Sequence, residues 1–133
     1  ALQYLLERAE TTHLRVAGQR QLAEVLAAQK SWSAAEEQLR AVNNASDAPD
    51  FSKNLARLNL SAIQEEQQQW DAARQTLLQL DSARWDDLRL RSLARIALAQ
   101  NQPDSARPHL EKLATLEDSP FQQEAADLLR QLR

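Results

Sequence analysis

A chain of 133 residues fits a single domain and buries roughly two thirds of its unfolded surface. Hydrophobic residues make up 43% and charged residues 26%, which excludes a disordered chain. The 16 basic and 19 acidic side chains, net charge −3, are interspersed with no basic block, which argues against nucleic acid as a partner. Cysteine is absent, which excludes disulfides, thiolate metal sites and thiol catalysis. Gly18 is the sole glycine, and abundant Ala, Leu, Gln, Glu and Arg favour helix nearly everywhere.

In chain order, residues 2–14 form the first predicted helix. Leu2, Leu5, Leu6, Ala9 and His13 lie near one face, expected to pack as a cap on the first repeat. Next comes SWSAAEEQL at 31–39, echoed by QWDAARQTL and QPDSARPHL. Aligning Ala35, Ala73 and Ala106 superimposes three 23-residue stretches without gaps, 20–42, 58–80 and 91–113. Leu22, Leu60 and Leu93 match, as do the small residues Ala23, Ser61 and Ala94 and the β-branched Val25, Ile63 and Ile96. Beyond the alanines come Leu39, Leu77 and Leu110, then Val42, Leu80 and Leu113.

Each stretch reads as two antiparallel helices whose small residues permit close approach while the leucines form the buried stripe. Ser33, Asp71 and Asp104 are the predicted caps of the second helices, with Ser33 and Glu36 as a capping box. A helix–turn–helix period of 33 to 38 residues predicts a solenoid. Residues 43–52, NNASDAPDFS, read as the longest loop. Ser119, Pro120 and Gln122 predict the start of a final helix through about Leu132, covering the last unit. Eight helices and no strand are expected: an all-α solenoid of three helix pairs (about 15–44, 53–81 and 86–116), with an N-terminal capping helix and a C-terminal one at 120–132.

The leucine-then-small pair and the later alanine resemble the tetratricopeptide repeat over about residues 15–116. The chain departs from that family in having Ala23, Ser61 and Ala94 for its usual glycine. Leu26, Gln64 and Ala97 stand where it usually has an aromatic. A narrower resemblance, carried by residues 84–113 and 55–81, is to the YfgM-type periplasmic ancillary factors of the Sec translocon. It implies protein partners such as chaperones and translocon components, a periplasmic location, and a membrane-spanning helix upstream. No apolar run in this segment is long enough to cross a bilayer, since LAEVLAA at 22–28 carries Glu24. Methionine is absent even at position 1, which leads us to expect a piece of a longer protein.

No residues carry recognisable chemistry, so no enzyme, cofactor or metal is expected. His13 and His109 stand alone, and the neighbouring Glu36–Glu37 and Glu65–Glu66 pairs point apart on a helix. Trp32 and Trp70 read as packing residues, while Trp85, between units, is a candidate exposed contact. Binding is expected on a groove lined by the first helices. Unit one offers Arg20, Gln21, Glu24 and Ala28; unit two Leu55, Leu58, Asn59 and Ala62; unit three Leu88, Arg91, Ser92, Arg95 and Ala99. The carboxylate clamp of some tetratricopeptide adaptors would fall on Arg20, Glu24, Asn59, Leu88 and Ser92, where Glu24 and Leu88 oppose it. The expected partner is an extended polypeptide or a fixed protein. The alternative is self-assembly of a cytoplasmic or membrane-linked complex.

Overall fold

The computed structural model describes residues 2–132, and those residues are helical with no strand. Seven α-helices follow one another: α1 Leu2–Ala28, α2 Trp32–Asn44, α3 Asp50–Glu66, α4 Trp70–Leu78, α5 Asp86–Ala99, α6 Pro103–Ala114 and α7 Gln122–Gln131. A 3-10 turn, Ala83–Trp85, precedes α5. The expected eight become seven because the predicted cap and the first repeat helix are one 27-residue helix. Nothing in residues 14–19 breaks a helix: there is no proline, and Gly18 leaves open space where a side chain would be. Consequently Leu2, Leu5 and Leu6 do not fold back as a cap; each is at least 60% exposed.

The chain divides into two compact units, residues 1–69 and 70–133, a boundary that falls between the two helices of the second repeat. In the first unit α2 packs on both α1 and α3. Val16, Ala23, Ala35, Leu39, Val42, Leu60 and Ile63 make its core. In the second unit α6 packs between α5 and α7, and Ala94, Ala106, Leu110, Leu113 and Ala125 are buried together. Ala35, Ala73 and Ala106 have no exposed surface at all. Leu22 and Val25 break the register, at 45% and 54% exposure, whereas their counterparts Leu60 and Ile63 are buried against α2.

Three turns share one geometry. Lys30, Gln68 and Asn101 all adopt φ near +60°. The following residue's N–H reaches back along the chain, Ser31 to Leu26 O (2.8 Å), Gln69 to Gln64 O (2.9 Å) and Gln102 to Ala97 O (2.9 Å). The left-handed residues themselves donate to Ala27, Glu65 and Leu98. This is the Schellman closure, usually built on glycine. Because the turn ends so tightly, α2, α4 and α6 begin at Trp32, Trp70 and Pro103, and the expected caps shift into the first turn. Ser31 and Gln102 stand at the cap positions without a side-chain bond. Asp71 and Asp104 instead pair with Arg74 and Arg107, where an acid still favours the positive end of the helix. Glu36 closes no box; it accepts from Gln67 Nε2 at 2.8 Å.

The predicted loop 43–52 shrinks to residues 45–49, since α2 runs to Asn44 and α3 starts at Asp50. At the last helix Ser119 Oγ accepts from the Phe121 N–H (3.1 Å), but Gln122 reaches back to the Ala114 carbonyl rather than completing a box.

Replacing Lys30 or Gln68 with Gly is expected to raise stability by about 1 kcal/mol, the strain of a left-handed L-residue less the added freedom of the unfolded chain. The Asn101 replacement gains less, since Asn tolerates this conformation; chemical denaturation of the three variants gives the order. Ala73→Leu is expected to lose about 1–3 kcal/mol by overpacking, and an unchanged melting curve would refute the shared register.

Candidate functional site

Alanines on the first helices of the repeats leave room where larger side chains would close it, and each unit has a concavity there. In the first unit Glu24, Ala27 and Ala28 of α1 face Asn59, Ala62, Ile63 and Glu66 of α3 across a hollow of about 300 Å³. Four of these seven, Glu24, Ala28, Asn59 and Ala62, are groove residues assigned from the repeat register. Carboxylates from both walls, Glu24 and Glu66, give this hollow an acidic mouth.

The second unit holds a smaller cavity of about 170 Å³ between α5, α6 and α7. Ala94, Leu98, Leu110, Leu113, Ala125 and Leu128 form its walls, and Arg91, Arg95 and Glu124 its rim. Arg95 is the register counterpart of Glu24, so equivalent positions carry opposite charge in the two units. Arg91 grips Glu124 with two hydrogen bonds, 2.8 Å from Nε and 3.2 Å from a terminal nitrogen. Its guanidinium also lies 4.3 Å from the centre of the Phe121 ring. The Arg91 bond holds the Glu124 carboxyl below its ordinary value. Arg95 donates to Ser92 Oγ at 3.2 Å.

The remaining assigned residues fall elsewhere. Ser92 is buried at 9% exposure, so its hydroxyl orients Arg95 rather than meeting solvent. Leu55, Leu58 and Leu88 are half-buried and line neither hollow, nor do the half-buried Arg20 and the exposed Gln21. Trp85 is 6% exposed at the end of the 3-10 turn, which removes it as a contact residue. Glu124, Phe121 and Leu98 were missed by sequence reasoning. Glu124 lies 33 residues from Arg91 on the helix taken as a mere cover, and the one signal for it was an acid one turn ahead of its leucine stripe.

A third hollow lies beside α1, with Leu5, Arg8, Ala9 and His13 on one side and Asp47 and Pro49 on the other. Asp47 is bound by Arg15 through two bonds (2.9 and 2.7 Å) and by Thr12 Oγ1 (3.1 Å). His109 is held below its usual value by burial, then by Lys112. Among the described residues no group of three His, Asp or Glu is placed to hold a metal ion, and no helix is long and apolar enough to cross a membrane.

Fold and site together define an all-helical protein of short helix–turn–helix elements with small apolar hollows rimmed by charge. Comparison with known protein families, with curated proteins and with solved structures finds no match.

Arg15 lowers the Asp47 carboxyl from 3.8 to about 2. Stabilisation from this contact is therefore complete above the unfolded value and is lost as pH falls from there through about 2. Asp47→Asn is expected to remove that part of the acid dependence, leaving thermal melts between pH 5 and 2 flatter than those of the parent.

Proposed function

We propose that this chain is a tetratricopeptide-like interaction module that binds polypeptide segments along the first helices of a solenoid. One observation carries the reading. Residues assigned to a groove from the repeat register alone, Glu24, Ala28, Asn59 and Ala62 in one unit and Arg91 and Arg95 in the other, line a concavity in their own unit. Apolar walls supply affinity, and the charged rims steer approach and choose among segments. No catalytic role is proposed. A chaperone-associated or translocon-associated setting in the bacterial periplasm rests on the resemblance of residues 55–81 and 84–113.

Self-assembly is the second reading, favoured by the exposed apolar residues of α1: Leu2, Tyr4, Leu5, Leu6, Leu14, Leu22 and Val25. This much exposed apolar surface on one helix is a usual mark of an interface.

Immobilised peptides of mixed sequence separate the two. Under the groove reading, the parent retains peptides that combine aliphatic and acidic residues, and salt weakens the retention. Arg91→Glu with Arg95→Glu leaves the helical circular dichroism unchanged but abolishes that preference. Identical retention by both proteins, together with a mass that doubles with concentration in light scattering, would replace the groove by the exposed surface of α1.

A further inference from the structure

The cavity of the second unit has a shape and a lid that narrow what enters it. Its volume, about 170 Å³, is close to the roughly 150 Å³ of an engineered apolar cavity that accepts benzene. One aliphatic side chain fills such a space; a longer chain does not fit. Ala94 and Ala125 are the smallest of its wall residues, and both belong to the buried core behind it (2% and 0% exposed). The lid is an ion pair. Arg91 and Glu124 are each about two-fifths exposed, so water already reaches their bond and an exposed pair of this kind holds weakly.

Distance then sets the ligand pattern. Midway between Ala94 and Leu98, the cavity's edge on α5 lies about five residues from Arg91, or about 7.5 Å along the helix axis. In an extended chain, side chains two positions apart share a face and stand about 6.6 Å apart, while neighbours point opposite ways. An aliphatic residue in the cavity therefore brings an acid two positions away to Arg91, and an adjacent acid points elsewhere.

Resting on the polypeptide-binding reading, we propose that this cavity receives one aliphatic side chain of an extended segment. Glu124 acts as a built-in competitor, occupying Arg91 until an acidic side chain two residues from the aliphatic one displaces it. Glu124 thereby sets a threshold: segments lacking the acid enter against an intact ion pair, and segments carrying it exchange one carboxylate for another.

The test uses nine-residue peptides, acetylated and amidated at their ends, with a central Leu-Ser-Asp and otherwise Gly, Ser and Ala. Binding is followed through the methyl resonances of Ala94, Ala125, Leu98 and Leu128. Leu-Ser-Asp shifts these methyls, and changing its Leu to Ala weakens binding about tenfold or more, as expected for one buried aliphatic side chain. Glu124→Gln tightens the acidic peptide about two- to fivefold, the range of an exposed ion pair. Arg91→Gln makes the Asp and Asn versions bind alike. Three outcomes overturn the proposal: equal binding of Leu-Asp and Leu-Ser-Asp, weaker binding by Glu124→Gln, or peptide bound with the cavity methyls unmoved. The last leaves the polypeptide-binding reading standing at another surface, whereas failure of every peptide at millimolar concentration removes both.

Discussion

Two helices joined by three residues lie side by side only where small side chains meet, and that constraint governs both units. The Schellman closure turns the chain within Lys30–Ser31 and Asn101–Gln102 and brings the next helix back at once. Ala35 joins Ala23 in one core, and Ala106 joins Ala94 in the other. Larger residues at those positions would push the helices apart, and the leucines flanking them would lose their contacts. The leucine stripe is thus a consequence of the alanine contact as much as a source of stability in its own right.

The same economy of side-chain volume produces the hollows. Where alanine faces a neighbouring element instead of its own partner helix, close packing fails locally and leaves space, as at Ala27, Ala28 and Ala62. Charge then differs by unit, because the position occupied by Glu24 in one is Arg95 in the other. Packing repeats while electrostatics diverges.

The register of the alanines and of the second-helix leucines was legible in the sequence because close helix contact tolerates few residue types, so three copies preserve it. The left-handed turns were not. Their residues are Lys, Gln and Asn, and with no glycine to mark the helix ends, the second helices were expected to start later than they do. Continuity of α1 was equally hidden, since a break was inferred from the repeat boundary and not from any helix-breaking residue. Of the site, the register placed Arg91 and Arg95 at the cavity but could not supply Glu124, whose partner lies 33 positions away. It misplaced Ser92, because facing the groove and facing the helix interior differ by less than half a turn.

Residues 2–11 of α1 are exposed on every side, and a helix segment that short is marginal in water without packing. Thr12, Arg15 and the carboxylate of Asp47 mark where tertiary contacts begin. The helix is therefore a single element by geometry but two by energetics. Amide protons ahead of Thr12 exchange through local fraying, at rates indifferent to the stability of the core, while those from Val16 onward await the opening of the first unit. Proteases meet the same gradient: cleavage in the first three turns leaves the folded remainder intact, and the staple at Asp47 fixes how far trimming proceeds.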